Sequence, residues 1–170
     1  PLKKTGGVLN KSNPNESNRG LVIGSDAGNT NVSGGVVNIT VPNNRNFGIS
    51  TTAPFFQLNV SKTGTAIHEL IIATIGHDFG TNSAQPLTVL SHLNLQTNAR
   101  LNANGNNVNI GGNFTLAIGA RYFTGTNTTR FFWHESHGNN PSTVTISDPA
   151  LPWPLDLHHL VFDKDMPNTQ

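Results

Sequence analysis

The chain has 170 residues, of which only 11% are charged, and its formal net charge is +1. Its 10 Lys and Arg are scattered along the sequence, which argues against a nucleic-acid patch. There is no Cys, so disulfides and zinc-thiolate sites are excluded, and the longest apolar run, residues 70–75, is too short to span a bilayer.

Apolar residues make up 35%, and the deficit is filled by 24 Asn, 19 Thr and 17 Gly. A polar chain of this kind reads as disordered unless its β-branched residues alternate, and here they do. The first residues, 1–20, carry the weakest pattern: Lys3, Lys4 and Lys11 mix with Asn, Ser and Gly, as a loose lead-in or a poorly defined first coil. From residue 21 to 170 the texture is of short strands cut by Gly, Asn, Asp or Pro corners.

In chain order the expected strands are Leu21–Ile23, Val36–Val41, Phe47–Ile49, Phe55–Val60 and Glu69–Ile75. Next come Leu87–Leu95, Arg100–Ala103, Val108–Ile110, Phe114–Ile118 and Tyr122-Phe123. Arg130–Trp133, Thr143–Ile146 and Leu157–Phe162 complete them. No window keeps a helical period for three turns. Residues 65–74 come nearest, and their β-branched density between Gly64 and Gly76 favours a strand.

The segments recur. Phe55-Phe-Gln-Leu-Asn-Val-Ser-Lys62 resembles Leu90-Ser-His-Leu-Asn-Leu-Gln-Thr97, and both resemble Leu157-His-His-Leu-Val-Phe-Asp-Lys164. Asn31-Val-Ser-Gly-Gly35 likewise resembles Asn109-Ile-Gly-Gly112. Apolar anchors from Ile23 to Leu160 recur at a mean spacing of about 17 residues. That is the solenoid regime, in which each coil buries its apolar face by stacking on its neighbours, and it predicts roughly eight or nine coils. A β-sandwich is the structural alternative. Asn and Thr favour the solenoid, because equivalent residues such as Asn59 and Asn94 would form hydrogen-bonded ladders. Alternation within the repeat places Phe56, Leu58, Val60, Leu93, Leu95, Leu160 and Phe162 inside, with Gln57, Asn59, His92 and Asn94 outside or in the corner.

The run carrying Gly112-Asn-Phe-Thr115, Phe123-Thr124-Gly125, Asn127-Thr128-Thr129, Phe131, Val144-Thr-Ile146 and Leu160-Val-Phe-Asp-Lys164 resembles the repeat region of very large secreted proteins of Bacteroidota. Asn46-Phe-Gly-Ile-Ser50 with residues 53–62 resembles the closing element one cycle earlier, so the likeness covers about residues 30–164. It departs at Trp133-His-Glu-Ser-His137 and at the Pro-rich residues 149–154. The resemblance implies a right-handed parallel β-helix, export by the type IX route and a surface or adhesin-like role without catalytic residues. The expected partners are then neighbouring repeats of the same polypeptide, a cell-surface or extracellular polysaccharide and the secretion machinery. Both ends of the chain read as cut, as in a fragment of something longer.

Candidate chemistry is sparse. Trp133-His-Glu-Ser-His137 is one residue short of the H-E-x-x-H zinc spacing and reads as a polar corner. Asp156-Leu-His-His159 with Asp163, Lys164 and Asp165 is the only near group of carboxylates. It is the place to look for a polysaccharide hydrolase or lyase. His68-Glu69 and His77-Asp78 are isolated pairs. No G-G-x-G-x-D loop supports calcium binding, so neither metal nor cofactor is expected. Tyr122, Trp133 and Trp153, if exposed, are the candidates for stacking on sugar rings, which makes a carbohydrate-binding module the other alternative to a structural or adhesive segment.

Overall fold

The computed structural model describes residues 2–14, 19–25, 29–72, 86–138, 140–148 and 155–164. Its strands are β1 (Leu2–Lys11), β2 (Arg19–Ile23), β3 (Thr30–Val41), β4 (Phe47–Thr51), β5 (Gln57–Lys62), β6 (Leu70–Ile72), β7 (Leu87–Val89) and β8 (Leu93–Leu95). They continue with β9 (Arg100–Asn102), β10 (Val108–Ile110), β11 (Phe114–Leu116), β12 (Arg121–Phe123), β13 (Thr128–Phe132), β14 (Val144–Ile146), β15 (Leu155–Asp156) and β16 (His159–Asp163).

The strands form three sheets. Sheet A runs β1-β3-β5-β8-β11-β14, sheet B β15-β12-β9-β6-β4-β2, and sheet C β16-β13-β10-β7. Every strand pairing among the described residues is parallel. Two antiparallel sheets packed face to face, the sandwich alternative, are not found among them. From β6 onward the chain visits B, C and A in strict rotation, each strand pairing with the next one of its own sheet. The longest sheets hold six strands, so the described residues make fewer circuits than the eight or nine expected. The anchors from Ile23 to Leu160 mixed positions on all three sheets, which shortened the apparent spacing. Residues that do face each other stand 21 apart where the repeat is regular, as with Asn38 and Asn59, Thr88 and Asn109, or His92 and Asn113.

Short strands alternating one residue in and one out give each sheet an apolar inner face. Leu58, Val60, Leu93, Leu95, Phe114 and Leu116 from sheet A meet Phe47, Ile49, Leu70, Leu101 and Tyr122 from sheet B and Leu87, Val89, Val108, Ile110 and Phe131 from sheet C in one cluster. The in-register rows Leu58–Leu93–Phe114 and Val60–Leu95–Leu116 are the apolar columns expected from the repeat. On the outer face of sheet A, Asn38 Nδ2 donates to Asn10 Oδ1, Asn59 Nδ2 to Asn38 Oδ1 and Asn94 Nδ2 to Asn59 Oδ1, each at 2.8 Å. This four-membered ladder contains the Asn59–Asn94 rung expected from the sequence.

Several expectations change. The run 87–95 is two strands, β7 on sheet C and β8 on sheet A, because Leu90 and Ser91 turn the corner with their N–H groups on Phe55 O and Phe56 O. Residues 157–162 do not form one strand either: the chain turns at Leu157 and His158 between β15 and β16. The segment 157–164 therefore lies at the corner after sheet B and on sheet C, and is not equivalent to 55–62 and 90–97 on sheet A. Phe56 is only half-buried while Phe55 is buried, because the corner before β5 interrupts the alternation. Leu160 and Phe162 pair with the buried Thr129 and Phe131, so they occupy the inward row, yet they are 43% and 66% exposed. They sit on the last described strand of sheet C, over which no other described strand pairs. Residues 2–11 form a strand that pairs with β3 through two register shifts and is mostly exposed. Residues 73–75 of the expected strand Glu69–Ile75 lie outside the described residues.

Candidate functional site

One circuit that departs from the 21-residue spacing is that between β11 and β14, where Phe114 pairs with Val144. Asn113 Oδ1 accepts from Thr143 N–H across 30 positions, where its own N–H meets His92 Nδ1 across 21. The additional residues leave sheet C after β13 and fold into a single 3₁₀ turn, Glu135–His137. His134 caps that turn: its Nδ1 accepts from Ser136 N–H at 3.2 Å and lies 2.8 Å from Ser136 Oγ. Ser136 Oγ reaches back to Leu90 O at 3.1 Å, pinning the turn to the corner of the preceding circuit. Gly138 closes it at φ 57, and Asn140 Nδ2 donates to His137 O at 3.2 Å.

Between this excursion and the sheet edge lies an open cleft of about 240 Å³, lined by Gly111, Trp133, His134, His137, Gly138, Asn140, Pro141 and Lys164. Lys164 Nζ donates to Gly111 O at 2.9 Å and Phe132 O at 2.5 Å. Burial holds its pKa below the usual lysine value. Trp133 is half-buried; its N–H donates to Asp163 O at 2.8 Å, and its shielded indole Nε1 has no hydrogen-bond partner among the described residues. His92 packs edge-on against His137 at 5.6 Å between ring centroids. Burial, with the neighbouring His137, lowers the His92 pKa, and burial also lowers that of His134 against the opposing charge of Glu135.

Of the three aromatic residues expected to face a ligand, the structure places only Trp133 at a cleft. Tyr122 is corrected: it is buried in the core, edge-on to Phe114 at 5.2 Å, with its hydroxyl 2.8 Å from Thr129 Oγ1. Burial pushes that hydroxyl's pKa up to about 12, against the lowering effect of its bonds to Thr129 and Asn127. The sequence carried the signal, since Arg121 and Phe123 flank it and alternation on β12 sends Arg121 out and Tyr122 in. Trp153 lies outside the described residues.

Of the carboxylate group only the Asp163 side chain lies among the described residues. Asp163 is bonded to Arg130 on the exposed face of sheet C, while Asp165 and the side chain of Asp156 lie outside the described residues. His158 and His159 pack edge-on at 4.3 Å. His68 Nδ1 lies 3.4 Å from Asn46 Oδ1, and Glu69 accepts from Asn102 Nδ2 at 2.9 Å; His77 and Asp78 are outside the described residues. No group of three metal-ligating side chains occurs among the described residues, and no described helix is long and apolar enough to cross a membrane. Compared with known protein families, characterised proteins and solved structures, the chain matches none of them.

Proposed function

We propose that this chain is a segment of a right-handed parallel β-helix that serves as a structural or adhesive part of a large secreted bacterial surface protein. The observation that carries the reading is the rotation of parallel strands through three sheets, with inward-row residues exposed on the last described strands of sheets A and C. Leu160, Phe162 and Val144 continue columns that are buried one strand earlier at Thr129, Phe131 and Phe114. A further coil of the same kind, from a neighbouring repeat of the same polypeptide, would bury them as those columns are buried inside the chain. The type IX route and the cell-surface location follow from the resemblance of residues 30–164 to secreted Bacteroidota repeats. The role is binding and scaffolding, without catalysis.

A second reading is favoured by the Trp133 cleft: an extracellular polysaccharide docks there, with the indole and the polar atoms of His137, Asn140 and Lys164 around it. One assay addresses both. The protein is incubated with a panel of neutral and anionic polysaccharides, and both retention and product release are measured. Retention lost in Trp133→Ala, with no release of reducing or unsaturated ends, is the expected outcome. Turnover that disappears in Asp163→Ala would overturn the non-catalytic reading in favour of a polysaccharide-active enzyme.

A further inference from the structure

Ten Lys and Arg scattered through the sequence form no cluster in one dimension, but folding gathers three of them. Lys62 ends β5, Arg100 begins β9 and Arg121 begins β12, so all three stand at the corner between sheets A and B. Arg100 and Arg121 are directly in register, which sets them one strand spacing apart, about 4.8 Å. Lys62 and Arg100 line a notch of about 190 Å³ whose other walls are Gly64, Thr65, Asn98 and Gly119. Those walls are turns: Gly64, Asn98 and Gly119 have φ values of 67, 60 and 71°.

The three cations are half-buried, and none of them meets a carboxylate among the described residues. Glu69 directs its Oε2 to Asn102, and among the described residues it makes no ion pair with Arg100. Like charges drawn together without a counter-charge repel one another. Burial, and then the charge of Arg100, accordingly lower the pKa of Lys62.

We propose that this corner binds the oxyanion groups, carboxylate or sulfate, of an acidic polysaccharide lying along the stack of strands. Arg100 and Arg121 present planar forks that match such groups bidentately, and Lys62 supplies a point charge at the notch. A polymer running along the corner meets a cation at successive strands, whereas a single small anion meets the notch alone. The proposal rests on the polysaccharide-facing reading above and adds to it a charge class and a second contact away from Trp133.

The test measures binding of heparin (sulfated), polygalacturonate (carboxylated), dextran (neutral) and single-stranded DNA to the full chain at low ionic strength. The variants are Lys62→Gln, Arg100→Gln, Arg121→Gln and, as a charge-matched control on β1, Lys11→Gln, each checked for an unchanged unfolding midpoint. Binding of heparin or polygalacturonate that falls about tenfold or more in each corner variant and is unchanged in Lys11→Gln supports the proposal, and whichever polymer binds names the oxyanion. An equal loss in Lys11→Gln overturns it, because a general charge effect would then suffice. DNA bound more tightly than either acidic polysaccharide also overturns it, in favour of a nucleic-acid surface. If dextran binds through Trp133 and the acidic polymers bind no better, the corner fails while the polysaccharide reading stands. If no polysaccharide binds, both fail.

Discussion

At the scale of single residues, position on the inner or outer row decides what a side chain contributes. Leu58 and Leu93 are wholly buried and face each other across β5 and β8. Leu58→Ala or Leu93→Ala is expected to cost about 2–5 kcal/mol in equilibrium urea unfolding, since a narrow core between three sheets cannot collapse into the cavity. His92 stands in the row of Gln57, one residue before the Leu58–Leu93 pair, and is half-buried. His92→Gln should therefore change the unfolding midpoint little at neutral pH. It should change the pH dependence. The folded-state pKa of His92 lies below the unfolded value of about 6.5. The neutral form is then favoured by folding, and its contribution is present above pH ~6.5 and lost as pH falls below it toward the folded pKa. Measured between pH ~7.5 and ~5, the His92→Gln protein should lose less stability on acidification than the parent. An identical slope would remove His92 from the account. At Trp133 the unmatched indole donor predicts that Trp133→Phe folds as well as the parent and keeps any glycan contact made by the ring face, which Trp133→Ala abolishes.

At the scale of elements, the corners are the most exacting parts of the sequence. A Cβ at Gly111 would lie 2.1 Å from Leu90 O, and one at Gly112 would lie 2.4 Å from Ser91 O, both backbone atoms of the preceding circuit. Gly111→Ala is therefore expected to destabilise by several kcal/mol or prevent folding, as read from expression and circular dichroism, because neither backbone can retreat without unpairing sheet C or sheet A. Strands at the end of the stack behave differently from those within it. Phe131 and Phe162 stack at 5.5 Å, but the first is buried and the second is 66% exposed. Phe131→Ala should cost about 3–5 kcal/mol and Phe162→Ala distinctly less, in the same denaturation series. Equal costs would mean that the row over β16 is already covered.

At the scale of the whole molecule, stability is a sum of strand-on-strand interfaces, so what covers the last strand governs the result. The ladder of Asn10, Asn38, Asn59 and Asn94 runs across four strands of sheet A and ties non-adjacent parts of the chain together. Asn59 is its busiest member, donating to Asn38 and accepting from Asn94 and Gln57. Asn59→Ala should cost about 1–2 kcal/mol by unfolding midpoint, more than Asn10→Ala at the exposed end.

The sequence alone determined strand type, the inner and outer rows of β5 and β8, and the Asn59–Asn94 rung. These follow from local alternation and from a repeat whose regular part keeps one length, so they are written in neighbouring residues. Strand counts and sheet membership were not legible, because corners such as Leu90-Ser91 consist of residues that also suit strands and turn only against the circuit before them. The burial of Tyr122 was within reach of alternation, yet an aromatic residue with a hydroxyl reads equally well as a surface platform until Thr129 is seen to satisfy it. Alternation put Leu160 and Phe162 on the inner row, but only the tertiary structure decided that they are exposed there. It alone brought Trp133 and Lys164 to one cleft, and Lys62, Arg100 and Arg121 to one corner. The reason is physical: parallel stacking makes neighbours of residues tens of positions apart, and neither charge convergence nor an uncovered end exists until the strands are laid one upon another.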